Sequence, residues 1–379
     1  MKIKVMSVFG TRPEAIKMAP LVKEIEKNEN LESIVCVTAQ HRQMLDQVLE
    51  IFSITPHFDL NIMKSRQTLA SITTSVVEGM MDVLEKSKPD IVLVHGDTTT
   101  SFAAALAAFY SQIPVGHVEA GLRTFDKYSP FPEEMNRSLT GRIAELHFCP
   151  TTNNKENLIN ENIKTGIYIT GNTVIDALKT TIKSDYVFKN EHLQGKDYRD
   201  YRYILMTAHR RENLGEPLEN ICNAVKRIVN KFDDVRVIYP VHMNPAVRDT
   251  VNRILGNDEK ITLIEPIDVQ DMHNLMDRVA LILTDSGGLQ EEAPALGKPV
   301  LVLRTETERP EALSAGTVVL AGVLEDDIFN LTNELLENKL SYEKMAKSAN
   351  PYGDGLASLR IVDAILHYFK LKERTKDFK

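Results

Sequence analysis

The sequence predicts an α/β protein with two doubly wound domains, each built on a parallel sheet. Short apolar runs alternate along the chain with longer amphipathic runs, a pattern typical of parallel strands covered by helices. The alternation fills the first half, is interrupted by a polar stretch near residues 184–202, and then starts again. A chain of 379 residues is long enough for two such domains.

Each half contributes its own set of predicted strands. Those of the first half are Ile3–Phe9, Ile34–Ala39, Ile91–His95, Pro114–Val118, Leu146–Cys149 and Ile167–Thr170. Those of the second half are Tyr203–Ala208, Val235–Tyr239, Ile261–Ile264, Leu281–Thr284 and Val300–Leu303. All are rich in Val, Ile and Leu, as expected for strands buried on both faces.

Helices are predicted between these strands. Apolar residues three or four apart mark one face from Leu69 to Val83. Further helices are predicted at Ser101–Phe109, Asn220–Lys231 and Ser358–Phe369. Pro20 lies inside the helix that follows the first strand, and we expect it to kink or interrupt that helix.

We place the domain boundary near Gly171, just before the polar stretch, which is expected to be a surface loop or an irregular helix. Residues 1–170 would then form the N-terminal domain and residues 171–355 the C-terminal domain. From the residues alone, the last helix, at about 356–371, could pack on either.

The composition excludes several functional classes. The net charge of −8 argues against a nucleic-acid or anionic-membrane partner. Cys36, Cys149 and Cys222 are odd in number and widely spaced, which suits a reducing compartment rather than a disulfide framework or structural zinc. The sequence shows no apolar signal region and no long apolar stretch. We therefore expect a cytoplasmic protein.

Polar residues follow nearly every strand, and ligands of open α/β sheets bind beyond the carboxyl ends of strands. The cleft between two such domains is thus the expected site. After the first strand, Arg12 and Lys17 can bring positive charge to a phosphate. The alternative is a plain strand-to-helix turn with solvated charges.

Asp97 and Glu119 follow two strands that are expected to be neighbours, and a histidine stands two residues before each. Two carboxylates in this position are candidates for acid–base chemistry. The pattern also allows a metal site, although no third or fourth ligand is evident. The structural alternative is that Asp97 caps the next helix and that Glu119 pairs with Arg123.

Glu133 opens a predicted helix four residues before Arg137. The spacing allows a surface ion pair, or simply a carboxylate at a helix start. In the second half, His209 and Arg210 follow a strand and suit an anionic ligand, and His242 ends the next strand in a similar way.

The segment from Thr284 to Ala293 reads as strand, glycine turn and helix. Two glycines allow the backbone to approach a ligand closely. The first N–H groups of the helix and the Ser286 hydroxyl can hold a pyrophosphate, and Glu292 can accept hydrogen bonds from ribose hydroxyls. The alternative is an ordinary turn before a helix.

Together these segments resemble the non-hydrolysing UDP-N-acetylglucosamine 2-epimerases over nearly the whole chain. The matching motifs are GTRPEAIKMAP at Gly10–Pro20, QHRQM at Gln40–Met44, HGDTTT at His95–Thr100, HVEAGLRT at His117–Thr124, HRREN at His209–Asn213, TDSGGLQEEAP at Thr284–Pro294 and TERPE at Thr307–Glu311. Hydrolysing relatives typically carry Ala and then Glu-Tyr-Gly after Gly-Thr-Arg, whereas this chain has Pro13-Glu14-Ala15-Ile16.

The resemblance implies two Rossmann-like domains in a glycosyltransferase-B-like fold, a final helix that returns to the N-terminal domain, and a homodimer. It implies that Ser286, Gly287 and Gly288 hold the diphosphate and that Glu292 binds the ribose. Arg12, Lys17, His209 and Arg309 would also line the nucleotide site. The uracil is expected against Ile267–Met272, where some relatives have Phe in place of Met272.

The implied reaction is elimination of UDP, giving 2-acetamidoglucal, followed by re-addition with inversion at C2. Asp97, Glu119 and Glu133 are the acid–base candidates, without assignment to a face of C2, and Arg12 and His209 would stabilise the departing UDP. The route needs no metal, nicotinamide or other cofactor.

The resemblance also suggests activation by a second UDP-N-acetylglucosamine. The residues that match the activator site are Gln40, Gln43, Arg66, Glu133, Arg210 and His242. A hydrolysing epimerase, a glycosyltransferase of the same fold and a non-catalytic sensor are the competing interpretations.

Overall fold

The chain forms two compact units. The computed structural model describes residues 2–39, 42–63 and 67–379, and the side chain of Gln43 is outside this description. The first unit contains residues up to Thr180 together with Tyr352–Lys379, and the second contains Thr181–Pro351. Residues 171–180, which we expected in the second unit, pack with the first, because the helix Thr173–Thr181 places Ala177 in the core of that unit.

A parallel sheet organises the first unit. Its strands are β1 (Ile3–Phe9), β2 (Leu31–Val37), β3 (Phe58–Asp59), β4 (Ile91–His95), β5 (Val115–Val118), β6 (Leu146–Cys149) and β7 (Ile167–Ile169). They lie in the order β3-β2-β1-β4-β5-β6-β7. The strands after β1 are added first on one side of it and, from β4 onwards, on the other side, so the strand order reverses between β1 and β4. The short β3 lacks the apolar run that marks the other strands and was not predicted.

Helices cover both faces of this sheet. They are α1 (Arg12–Lys27), α2 (Arg42–Ile51), α3 (Leu69–Ser87), α4 (Thr99–Tyr110), α5 (Glu133–Ile143), α6 (Thr152–Asn160) and α7 (Thr173–Thr181). Successive side chains of a strand point to opposite faces. Accordingly Val5 and Phe9 pack into one apolar cluster of this unit, and Met6 and Val8 pack into another.

The second unit repeats the scheme. Its strands are β8 (Arg202–Thr207), β9 (Val235–Pro240), β10 (Ile261–Ile264), β11 (Leu281–Thr284), β12 (Val300–Val302) and β13 (Val318–Leu320), in the order β10-β9-β8-β11-β12-β13 and all parallel. Its helices are α8 (Glu216–Lys231), α9 (Pro245–Leu255), α10 (Val269–Arg278), α11 (Gly287–Glu292), α12 (Pro310–Ala315), α13 (Glu325–Glu337) and α14 (Lys339–Ala346). Here the reversal falls between β8 and β11.

The final helix, α15 (Ala357–Tyr368), belongs to the first unit, as the resemblance implied. Its Ile361, Val362 and Ile365 are buried in the same cluster as residues of α1. The polar stretch before β8 is an irregular segment with one short 3₁₀ turn at Glu191–Leu193.

Pro20 does not interrupt α1, contrary to our expectation. The helix runs through it to Lys27, and Pro20 is buried beside Ala19 and Leu21. A proline inside a helix costs ~3 kcal/mol. Burial of several apolar side chains, each contributing ~1.5–3 kcal/mol, offsets this cost.

No helix in the described part of the chain is long and apolar enough to cross a membrane.

Candidate functional site

In each unit, several of the polar residues singled out from the sequence lie where the strand order reverses. In the first unit, β1 and β4 are neighbours, and their carboxyl ends lead into Gly10-Thr11 and Gly96-Asp97. In the second unit, β8 and β11 are neighbours and lead into Ala208-His209 and Asp285-Ser286. Such reversal points are where open α/β sheets bind ligands.

Glu14 ties together the two loops at the reversal point of the first unit. It is 2% exposed, and its Oε2 accepts hydrogen bonds from the N–H groups of Gly10 (3.0 Å) and Thr11 (2.8 Å). Its Oε1 accepts from the hydroxyls of Thr98 (2.6 Å) and Ser101 (2.9 Å), at the start of α4. One buried carboxylate therefore fixes the residue before Arg12 and the residue after Asp97.

Asp97 is paired with a buried arginine. Its Oδ2 accepts a hydrogen bond from the Arg137 guanidinium, whose side chain is 6% exposed. Asn136 donates to the Asp97 backbone carbonyl (2.9 Å), and the hydroxyl of Thr98, rather than Asp97, caps α4. The expected surface pair between Glu133 and Arg137 is absent from the ion pairs of the described residues, because the buried Arg137 turns towards Asp97 and Glu134.

Glu119 sits one residue beyond β5, next to the end of β4. Its Oε1 accepts hydrogen bonds from Lys17 Nζ and from Asn172 Nδ2 (3.0 Å). Lys17, expected to approach a phosphate, thus meets a carboxylate in this structure. Arg123 does not pair with Glu119 but with Glu161, and this ion pair is anchored by a nearly buried guanidinium.

The backbone around the two carboxylates adopts the left-handed conformation twice. Gly96 has φ +62°, and a Cβ built there would lie 3.2 Å from Glu119 Oε2. Glu119 itself has φ +62°, which costs a residue with a side chain ~1–2 kcal/mol. Strain of this kind at a polar strand end is typical of functional positions.

The histidines beside these carboxylates are buried and neutral. His95 Nε2 lies 3.6 Å from Glu119 Oε2, and burial lowers the pKa of His95 in spite of that carboxylate. Burial likewise lowers the pKa of His117 to about 3, although its ring contacts the Gly96 carbonyl at 2.7 Å. Among the described residues no group of three or more His, Cys, Asp or Glu side chains could hold a metal ion.

Glu133 is the first residue of α5 and is half-buried. Its Oε2 is buried and has no hydrogen-bond partner among the described residues. A buried carboxylate oxygen without a donor is costly to maintain and is found where a ligand or a water supplies the missing contact.

In the second unit, Asp285 holds the loop that follows β8. The residue is fully buried, and its Oδ2 accepts from the N–H groups of His209 (2.7 Å) and Arg210 (2.8 Å) and from Asn213 Nδ2 (3.1 Å). Burial alone would raise the pKa of Asp285. The contacts from His209 and Arg210 outweigh it, so the pKa is lowered.

Two guanidinium groups lie against the glycine turn that opens α11. A Cβ built on Gly287 would come within 3.7 Å of Arg309 Nη2 and 4.0 Å of Arg210 Nη2. Ser286 starts the helix without a side-chain hydrogen bond to it, and Arg309 is held by the buried Glu291. Two cations beside a glycine turn form a setting suited to an anion.

The residues matched to the ribose and uracil contacts lie at two places. Glu292 is beside the glycine turn, whereas Ile267 and Met272 are near the start of α10. A Cβ built on Gly288 would lie 3.3 Å from Glu292 Oε1, which puts that carboxylate beside the turn. Met272 and Ile267 are half-buried, at the start of α10 and just before it.

The residues matched to an activator site are described only in part. Gln40, Arg66 and the side chain of Gln43 lie outside the described residues. Of the others, Arg210 borders the glycine turn, and the His242 ring stacks on His209 with 5.6 Å between centroids and 14° between planes.

Sequence reasoning missed the partners that position these groups. No role was assigned to Glu14, Asn172 or Asp285, and Arg137 was considered only as a partner of Glu133. Each joins elements far apart in sequence, so spacing cannot reveal it. For Asp285 the available signal was a carboxylate directly after an apolar strand.

The two parallel-sheet α/β units have the glycosyltransferase-B-like fold of enzymes that act on nucleotide sugars, with two carboxylates at neighbouring strand ends in one unit and a glycine turn beside two cations in the other. A sequence model described as UDP-N-acetylglucosamine 2-epimerase matches residues 23–366, and the chain belongs to that family.

Similar proteins agree with this assignment. The UDP-N-acetylglucosamine 2-epimerase of Bacillus subtilis is 58% identical over 379 residues, covering 100% of this chain and 99% of that protein. The Escherichia coli K12 enzyme of the same name is 53% identical, covering 96% and 98%. The crystal structure of UDP-GlcNAc 2-epimerase from Neisseria meningitidis bound to UDP-GlcNAc is 50% identical with a TM-score of 0.85, covering 96% of this chain and 100% of that one.

Proposed function

We propose that this enzyme is a non-hydrolysing epimerase, which interconverts UDP-N-acetylglucosamine and UDP-N-acetylmannosamine by elimination and re-addition of UDP. The observation that carries the proposal is the pair of carboxylates, Asp97 and Glu119, at the ends of neighbouring strands. Each has its own cation, Arg137 for Asp97 and Lys17 for Glu119. A reaction that removes a proton from one face of C2 and returns it to the other needs two acid–base groups.

In the elimination step, a carboxylate takes the C2 proton. The electrons of the C2–H bond form a C1=C2 double bond, and the C1–O bond breaks with its electrons passing to the β-phosphate of UDP. The products are 2-acetamidoglucal, UDP and a protonated carboxyl group. In re-addition, the β-phosphate oxygen of UDP forms the bond to C1, and the electrons of the C1=C2 double bond take a proton from a second group on the opposite face of C2. The first carboxyl group then loses its proton to solvent and the second group regains one, so both return to their starting states.

Asp97, Glu119 and Glu133 are the proposed acid–base residues. The left-handed backbone of Glu119 and the unsatisfied oxygen of Glu133 support functional roles for both. His95 is buried and neutral, so beside Glu119 it offers a dipole rather than a charge.

The departing UDP is already an anion, so electrostatic stabilisation matters more than protonation of the leaving group. We assign its diphosphate to Ser286, Gly287 and Gly288, with His209, Arg12, Lys17 and Arg309 as further contacts. The cations beside Gly287 support this assignment, as does the absence of an ion-pair partner for Arg12 among the described residues. Glu292 is proposed to bind the ribose, and Ile267–Met272 to contact the uracil.

Product analysis with purified protein and UDP-N-acetylglucosamine separates the competing functions. The proposal predicts UDP-N-acetylmannosamine accumulating to an equilibrium with no free sugar. Free N-acetylmannosamine with UDP would instead indicate a hydrolysing epimerase. An unchanged substrate would indicate a glycosyltransferase awaiting an acceptor, or a sensor that binds without turnover.

We also propose that UDP-N-acetylglucosamine activates its own conversion at a second site formed by Gln40, Gln43, Arg66, Glu133, Arg210 and His242. The stacking of His242 on His209 supports it, since the two rings can respond together to a ligand. The test is the rate as a function of substrate, which should be sigmoidal, and turnover of product alone, which should need added substrate. A hyperbolic dependence with full turnover of product alone would contradict it.

A homodimer is the proposed assembly. Phe109 and Tyr110 at the end of α4 are 58% and 61% exposed, and Met81 of α3 lies nearby, with its sulfur 3.7 Å from the Ser111 hydroxyl. Light scattering should show two copies, and Phe109→Glu with Tyr110→Glu should give monomers. A matched control is Leu340→Glu, which changes an 80% exposed leucine of the second unit. A dimer unaffected by the α4 changes would place the interface elsewhere.

A further inference from the structure

A buried histidine on α10 touches the carboxylate proposed to bind ribose. His273 is 2% exposed, and its Nε2 lies 3.2 Å from Glu292 Oε2. Its other ring nitrogen, Nδ1, lies 2.7 Å from the hydroxyl of Thr181. The Glu292 side chain is 15% exposed, so one end of this three-residue chain reaches solvent while the histidine does not.

The chemistry of the two contacts fixes the ring. A carboxylate only accepts hydrogen bonds, so the histidine Nε2 must carry the hydrogen that faces Glu292. The Thr181 hydroxyl can donate to Nδ1 of a neutral ring or accept from Nδ1 of a protonated one. Either way both ring nitrogens are engaged, and the ring cannot turn without breaking a contact.

The helix that carries His273 is itself held in place by its neighbours. Asp271 accepts hydrogen bonds from the N–H groups of Lys189 and Asn190, both at 3.0 Å. Asn274 donates to the Thr181 carbonyl at 2.8 Å and accepts from the Lys183 N–H at 3.0 Å. These contacts secure both His273 and its partner Thr181, so the imidazole is a rigid support.

We propose that His273 is a positioning residue that aims the Glu292 carboxylate at the ribose cis-diol of the bound uridine nucleotide. The inference rests on the nucleotide role proposed for Glu292. A glutamate has three rotatable side-chain bonds, and a buried donor behind one oxygen leaves the other oriented towards the ligand. Oε1 is the oxygen that lies beside Gly288, as this arrangement requires.

The consequence is selectivity for nucleotides with intact ribose hydroxyls. A hydrogen bond to a charged group is worth ~1.5–3 kcal/mol, which corresponds to a preference of ~10-fold or more for UDP over its deoxyribose analogues. Without the histidine donor, Glu292 would sample other rotamers, and we expect most of that preference to disappear.

The experiment is calorimetric binding of UDP, 2′-deoxy-UDP and 3′-deoxy-UDP to wild-type protein, His273→Phe, His273→Gln and Glu292→Gln. His273→Phe should bind UDP ~10-fold more weakly and bind a deoxy analogue nearly as well as UDP. His273→Gln, whose amide can still donate to Glu292, should recover much of the preference. Thr181→Val, which removes the second contact of the ring, should give an intermediate loss and serves if His273→Phe fails to fold.

Several outcomes would overturn the proposal. A His273→Phe protein that keeps the wild-type preference would do so, as would one that loses affinity for all three nucleotides by the same factor. If wild-type protein itself does not distinguish UDP from the analogues, Glu292 does not read the ribose and the inference fails. If the same wild-type preparation still epimerises its substrate normally, the proposed reaction is supported although the proposed role of His273 is not.

Discussion

Replacing the buried Glu14 with leucine should destabilise the first unit strongly, whereas replacing it with glutamine should cost much less. Leucine leaves the N–H groups of Gly10 and Thr11 buried without an acceptor, at ~1–3 kcal/mol each, so the loss should be ~2–6 kcal/mol. Glutamine keeps a carbonyl oxygen for these N–H groups. Its amide can donate to the hydroxyls of Thr98 and Ser101, so only charge assistance is lost, at roughly 1–2 kcal/mol.

The assay is urea-dependent hydrogen exchange with mass spectrometry, following peptides that cover β1–α1 and β4–α4 separately from peptides of the second unit. This separation matters because a two-unit chain need not unfold in a single step. Glu26→Gln is the matched control, since Glu26 lies on the same helix in an exposed pair with Lys23 and should cost under ~1 kcal/mol. Equal destabilisation by leucine and glutamine, or a leucine variant no less stable than the Glu26→Gln control, would refute the claim that the Glu14 carboxylate stabilises the two loops.

Three further predictions test other parts of the account. Glu119→Gln should lower kcat by ~10²–10⁴-fold, because it removes a carboxylate that can accept the C2 proton. An unchanged kcat in a coupled assay would exclude Glu119 from proton transfer. Asp285 has a lowered pKa, so the stability it contributes is present above its unfolded pKa and is lost as the pH falls through the lower folded pKa. The urea midpoint of the second unit in Asp285→Asn should therefore fall less than that of wild type between about pH 6 and about pH 3, and an identical fall would contradict this. Burial raises the pKa of the thiols of Cys36 and Cys222 to about 12 and also raises that of Cys149, so iodoacetamide should label none of the three in folded protein and all three in urea, as counted by intact mass.

Much of the fold could be predicted because its strands are continuous apolar runs. β1, β4, β6, β10 and β11 begin and end at the predicted residues. Buried parallel strands show this pattern whatever packs against them, so local sequence is sufficient. The short β3 and β13 have no such run or only a brief one, and their pairing depends on a neighbouring strand.

The helix starts were harder to locate because caps and tertiary contacts decide them. The helix expected to begin at Asn220 begins at Glu216, after Gly215, and Pro217 occupies its first turn. The change of unit expected near Gly171 falls after Thr180, because the side chains of α7 pack into the first core. Pro20 also stays helical because of tertiary packing, since the burial of apolar side chains of α1 outweighs the unfavourable effect of a proline inside a helix.

Candidate site residues could be placed at strand ends, but their partners could not. The chain order puts Asp97 and Glu119 beside each other once the strands pair in parallel. Nothing in the spacing connects Asp97 to Arg137, Glu119 to Asn172, or Glu292 to His273, because each pair spans different elements of the folded chain. The electrostatic setting of each carboxylate is thus a property of the fold.

Proton exchange at C2 tests the central claim most directly. The measurement is proton NMR of UDP-N-acetylglucosamine incubated with the protein in heavy water. The account predicts UDP-N-acetylmannosamine carrying deuterium at C2, with deuterium also entering the recovered substrate, because the proton removed by the carboxylate exchanges with solvent before re-addition. Formation of UDP-N-acetylmannosamine that retains its original C2 proton, or release of free N-acetylmannosamine with UDP, would contradict it.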